Sequence, residues 1–145
     1  MSIERLLQEG SIHAFQATDV EIDKAMEISR RDLNTALEIR LNSPDWAFNI
    51  AYNAVLQACK AHMFTKGYRA ASSESHKHTF EFLLTTANEP WLATIEYFDR
   101  VRKKRHRVVY DEIGLVSEKE LETLLDQAGE FVRHIENTIR KSRNK

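Results

Sequence analysis

Apolar residues recur at intervals of three and four along most of this chain, and the places where that rhythm fails divide it into segments. Ile3, Leu6 and Leu7 predict a short first helix ended at Gly10, with Ile12 and Phe15 continuing it less regularly. Thr18 followed by Glu21 is a capping-box pattern. From there Ile22, Ala25, Met26, Ser29, Leu33, Ala36 and Leu37 mark one face of a long amphipathic helix ending near Leu41. Asn42-Ser43-Pro44-Asp45 breaks it, because the residue before a proline is pushed out of helical geometry.

The segment from Trp46 to Lys66 differs in kind. Phe48, Ile50, Tyr52, Val55, Leu56, Cys59, Met63 and Phe64, interleaved with alanines, leave little polar face, so this helix should be central and the most buried. Gly67 is placed to end it in a left-handed cap, and Tyr68 to Lys77 reads as a polar loop. Thr79 to Ala87 predicts a shorter helix across the bundle. A further helix runs from Pro90 or Trp91 to Tyr110, then a turn over Ile113-Gly114-Leu115-Val116. Ser117 with Glu120 is a second capping box, opening a final helix carried by Leu121, Leu124, Leu125, Ala128, Phe131, Val132, Ile135 and Ile139. The expected fold is all-α, an antiparallel up-and-down bundle of four long helices plus one or two short ones. The whole chain forms one domain, with its core over roughly residues 18–140.

Charge changes this picture at one place. The chain holds 21 Lys and Arg against 22 Asp and Glu, yet Arg100 to Arg107 carries six basic residues and no acid, so the positive charge is a local patch. Cys59 is the single cysteine, which excludes an intrachain disulfide and a cysteine-built zinc site and suits a small core residue. No apolar run is long enough to span a bilayer or act as a signal peptide, so the expectation is a soluble, cytoplasmic protein.

On the basic helix, Ile95, Phe98, Val101 and Val108 form the apolar stripe, and Arg105 falls on it where a leucine would be expected. A charge on an inward face needs a partner. A salt bridge to Glu38 or Asp111 is the structural explanation. The functional one is a phosphate site. Arg102, His106 and Tyr110, four apart, form a cationic and titratable strip beside Arg105. Arginine forks match phosphate oxygens, and histidine titrates near neutrality.

Trp46 to Ala61, the Thr65-Lys66-Gly67-Tyr68-Arg69 exit, the His76-Lys77-His78-Thr79 opening and Arg102 to Asp111 together resemble the HEPN family of small helical domains. The family's hallmark is an arginine followed after four to six residues by a histidine. Two registers fit. In one, Arg100 pairs with His106. In the other, which places Arg105 inward, Arg105-His106 takes the arginine-plus-polar position and Tyr110 stands where the family has histidine. Active HEPN proteins are metal-independent ribonucleases that dimerise. The resemblance therefore implies RNA or a nucleotide as ligand, a homodimer, and no metal or other cofactor. It implies Arg105, His106 and Tyr110 as catalytic residues, and Arg100, Arg102 and Asp111 as substrate-binding ones. A tyrosine with a pKa of about 10 is a proton donor at neutral pH, which favours binding over cleavage. HEPN proteins of this size are often paired with a separately encoded minimal nucleotidyltransferase in a toxin–antitoxin arrangement, so such a partner is among those implied. A helical interaction module without catalysis is the alternative.

The other histidines carry less. His62, His76 and His78 could be assembled into a metal site only without a matching acid, and His13 and His134 read as surface residues. Trp46 and Trp91, at helix starts, read as packing anchors. An exposed apolar edge on the final helices would be the physical basis of dimerisation.

Overall fold

The computed structural model describes residues 2–110 and 114–144, without the side chains of residues 109 and 110. Six helices and two short strands lie among them: α1 (Ile3–Gln8), β1 (Ile12–Ala14), α2 (Asp19–Ile39), α3 (Pro44–Lys66), β2 (Tyr68–Ala70), α4 (Ser75–Thr86), α5 (Trp91–Tyr110) and α6 (Glu118–Arg143). The fold is all-α, with four long helices and two short ones.

Local chemistry places the helix ends. Thr18 and Ser117 both form complete capping boxes, each side-chain oxygen accepting from the backbone N–H three residues on while Glu21 and Glu120 bond back. Gly67, at φ 92°, closes α3 in the left-handed region, its N–H donating to the carbonyls of Met63 and Phe64. A residue with a Cβ would be strained there.

Helix α3 is the hub, touching α2, α4, α5, α6 and β2. Its alanines let α2 approach closely enough for the buried Ser29 hydroxyl to donate to the Ala54 carbonyl at 2.6 Å. Helix α6 runs antiparallel to α2 and to α5 and parallel to α3, whose last turn lies beside its own. Arg143 at the end of α6 meets Asp19 and Asp23 at the start of α2, and Lys104 late in α5 pairs with Glu120 early in α6. Phe131 of α6 fills the space beside α5, with Phe98 edge-on at 5.3 Å and Trp91 at 6.0 Å between ring centroids.

Several expectations need correction. Ile12 does not continue the first helix, and Tyr68 to Ala70 is not loop. The two segments pair antiparallel, with His13 opposite Arg69, and the ladder extends through Phe15 N–H to Gly67 O and Ala71 N–H to Ser11 O. Strands of three residues carry too little alternation to be seen in a sequence, and their partner lies far along the chain. Helix α4 begins four residues earlier than its apolar pattern, because its first turn is polar and solvated and Glu74 turns the chain at φ 53°. Trp46 is no anchor: it is 59% exposed. His134 is no plain surface residue, since its ring stacks on Trp91 at 4.2 Å and 11°. Among the described residues the exposed large apolar side chains are Leu7, Val20, Leu37, Leu41 and Trp46, so they lie outside the final helices.

Candidate functional site

Helix α5 presents these basic residues in two directions. Arg100 is exposed, turned towards α6, with its guanidinium 6.0 Å from the Tyr97 ring. Lys104 pairs with Glu120, whose carboxyl this contact holds below its usual range. Arg102 and Arg105, three residues apart and therefore neighbours on the helix surface, turn towards α3 and α4.

Arg102 is tethered by Asp99, which accepts from its Nε at 2.8 Å and also lies 3.9 Å from Lys103. Arg105 is held differently. Its Nε donates to Asn49 Oδ1 at 2.7 Å, and its guanidinium carbon sits 5.3 Å from the centre of the Tyr52 ring. The inward charge is thus positioned, among the described residues, by an amide and an aromatic face, while Glu38 is exposed on α2. Among the described residues these neutral partners fix the direction of the guanidinium without cancelling its charge, and its Nη groups make no hydrogen bond.

Tyr52 joins this pair to α4. It is 1% exposed, and its hydroxyl lies 3.0 Å from His76 Nδ1. Burial raises the Tyr52 pKa well above its ordinary value, against a smaller opposing effect of Arg105. The phenol is therefore protonated, and donation to His76 Nδ1 gives its buried proton an acceptor. The neutral imidazole then carries its hydrogen on Nε2. His76 is itself pushed down, first by burial and then by Arg105, Arg102 and Lys60. The result is two guanidinium groups and one imidazole N–H, supplied by two helices and organised by Asn49 and Tyr52 on a third.

Of the residues singled out in the sequence, the structure brings Arg102 and Arg105 together and sets Arg100 apart. His106 is exposed on the turn beside Arg105. The side chain of Tyr110 and the whole of Asp111 lie outside the described residues. Asn49, Tyr52, Asp99 and His76 are additions. The available signal was polar residues recurring at Asn49 and Asn53, one helical turn apart, in the stretch from Trp46 to Leu56 that is otherwise apolar. Asn53 uses that position to donate to the buried Asp32 at 2.6 Å.

The histidines do not converge on a metal. His78 Nδ1 lies 2.7 Å from Glu81, His76 faces Tyr52, and no group of three or more potential ligands occurs among the described residues. No described helix is long and apolar enough to cross a membrane. A family model, the HEPN domain, matches residues 22–138. No curated protein and no solved structure matches the chain.

Proposed function

The chain belongs to the HEPN domain family, and from that premise we propose that it binds single-stranded RNA by holding a phosphodiester on Arg102 and Arg105. The observation that carries this reading is the setting of Arg105. An inward guanidinium oriented by Asn49 and Tyr52, with no acid paired to it among the described residues, offers its charge and its Nη donors to an anion. His76 adds an N–H donor from the opposite helix. Phosphate is recognised by such convergent donors, and RNA phosphates in a single strand are accessible to them.

Cleavage needs, besides charge stabilisation, a group that takes the proton of the ribose 2′-hydroxyl. With its Nδ1 filled by the Tyr52 hydroxyl, His76 offers a donor and no lone pair. This geometry favours binding. A second reading, a metal-independent endoribonuclease, is favoured by one observation: His106 is exposed one residue beyond Arg105. In that reading His106 accepts the proton, Arg102 and Arg105 stabilise the phosphorane charge, and Tyr110 donates. Arg100 and Asp111 then act as substrate-binding groups flanking the strip.

One experiment separates the readings. Labelled single-stranded and structured RNAs are incubated with the protein in EDTA, with retention and cleavage both measured, alongside Arg105→Ala and His106→Ala variants. Binding that is lost in Arg105→Ala, with intact RNA recovered, is the expected result. Cleavage abolished by both substitutions replaces the binding reading with the nuclease one. A folded protein that neither binds nor cleaves any RNA in the panel refutes both. The proposal includes a homodimer, with Leu37, Leu41 and Trp46 as apolar surface available to it, and light scattering reads its mass. A minimal nucleotidyltransferase as toxin–antitoxin partner is tested by whether a neighbouring reading frame encodes one that co-purifies.

A further inference from the structure

Helices α5 and α6 both pack along α3 but make few contacts with each other, which leaves a cleft between them. Towards the start of α5 the rings of Trp91, Phe98 and Phe131 fill it. Towards the start of α6 it opens into a groove of about 240 Å³. Phe48 of α3, 2% exposed, forms the floor, with Val101 and the half-buried Tyr97 on the α5 wall. The Lys104–Glu120 ion pair joins the two walls.

The rim of this groove is cationic. Arg100 and Lys119 stand exposed on the two walls, and among the described residues neither is in a salt bridge. Glu120, the carboxylate among the described lining residues, is committed to Lys104. An apolar floor under a positive rim selects an apolar group carried between negative charges. The volume lies below the range of small-molecule sites, which begins at about 300 Å³, so the groove suits one large side chain rather than a whole ligand. A nucleotide strand fits it poorly. No amide among the described lining residues is placed to read a base edge, and the Tyr97 ring already carries the Arg100 guanidinium at 6.0 Å. Arg100 and Arg102, two positions apart, point to nearly opposite sides of α5, so the groove is separate from the arginine pair.

We infer that this groove is a docking site for a partner protein, which inserts one aromatic or large aliphatic side chain from an acidic segment. The inserted side chain packs on Phe48, Val101 and Tyr97, and the carboxylates on either side of it meet Arg100 and Lys119. The rim charges govern encounter and salt dependence, while the buried anchor governs how long the partner stays.

The test pans a display library of short random peptides on the full chain. Recovered peptides are labelled and their affinities measured by fluorescence anisotropy for the parent and the Lys119→Glu, Thr123→Trp and Arg105→Ala variants, each checked for folding by circular dichroism. The recovered peptides should carry several Asp or Glu residues around a Phe, Trp or Leu. Lys119→Glu, which reverses a rim charge, should weaken them about tenfold at low salt and less at high salt. Thr123→Trp, which fills the groove from the α6 wall, should weaken them at least about tenfold, as should replacing the peptide's anchor with serine. Arg105→Ala should leave peptide affinity within about twofold.

Recovery of no peptide, or of peptides without acidic enrichment, overturns the proposal. So do peptides that bind Lys119→Glu and Thr123→Trp as tightly as the parent. Peptides that depend on Arg105 place the acidic segment on the arginine pair and overturn the groove as its site. Single-stranded RNA whose binding is weakened by both Lys119→Glu and Thr123→Trp, in a protein that selects no peptide, gives the groove to the RNA strand instead.

Discussion

Replacing Asn49 with alanine removes the acceptor that aims Arg105 while leaving the positive charge in place. The bond removed is an Nε–H to Oδ1 contact of 2.7 Å between two partly buried side chains. Hydrogen bonds to charged groups contribute about 1.5–3 kcal/mol, and water that reaches a half-buried guanidinium replaces part of that. The fold should therefore lose about 1 kcal/mol, or about 3 °C in Tm for a domain of this size. The cation–π contact with Tyr52 survives and keeps the side chain near its place. RNA affinity should fall five- to tenfold, about 1–1.4 kcal/mol, because the guanidinium no longer presents both Nη groups to one phosphate. Charge and aim are separable by salt. For a single strand each neutralised phosphate contributes about 0.7 to the slope of log K against log salt. Arg105→Ala should lower the slope by about that amount, whereas Asn49→Ala should weaken binding at every salt concentration with the slope unchanged. The assay is fluorescence anisotropy of a labelled RNA over a potassium chloride series. Equal slopes for Arg105→Ala and the parent protein would refute the phosphate contact. A reduced slope in Asn49→Ala would show that the amide holds the charge at the site and does more than orient it.

Three further outcomes follow from buried groups. The Cys59 thiol is 0% exposed and burial pushes its pKa up, so a disulfide reagent should modify it only in denaturant; stoichiometric reaction of the native protein at neutral pH would contradict its place in the core. Burial, Lys66 and His134 lower His62 from 6.5 to about 4, so the fold keeps it neutral while the unfolded chain takes up a proton. Its contribution is fully present above about pH 6.5 and is lost as pH falls towards 4, by up to about 3 kcal/mol and less where water reaches the ring. Urea unfolding at pH 7 and pH 4.5 should show a smaller acid loss in His62→Phe than in the parent, and equal losses would assign the acid sensitivity elsewhere. His76 is depressed by burial and by Arg105, Arg102 and Lys60, and a bound phosphate favours its protonated form, so RNA affinity should rise as pH falls below the ordinary imidazole range. His76→Gln should flatten that rise, measured by the same anisotropy assay; an unchanged pH profile would remove His76 from the site.

Helix periodicity, two capping boxes, the Pro44 break and the Gly67 cap are local properties, each written within a few residues, and they suffice to place the long helices and to make α3 central. The family and the inward setting of Arg105 were legible for the same reason, since one residue out of pattern on an apolar stripe shows in the chain itself. What holds Arg105 was not. Asn49 lies 56 positions away in the chain, and its spacing from Asn53 marks a polar position on α3 without saying which helix it faces. The same limit hid the pairing of Ile12–Ala14 with Tyr68–Ala70. It also hid the exposure of Trp46 and the stacking of Trp91 on His134. His76 shows the difference most plainly. In sequence it is one of several polar residues opening a helix, and only the crossing of α4 over α3 sets its Nδ1 against Tyr52 and brings its ring under the influence of Arg105, Arg102 and Lys60. Helices form from contacts three and four residues apart, which a sequence records directly. A site assembled from three helices depends on how those helices cross, and that is decided by the packing of the whole core.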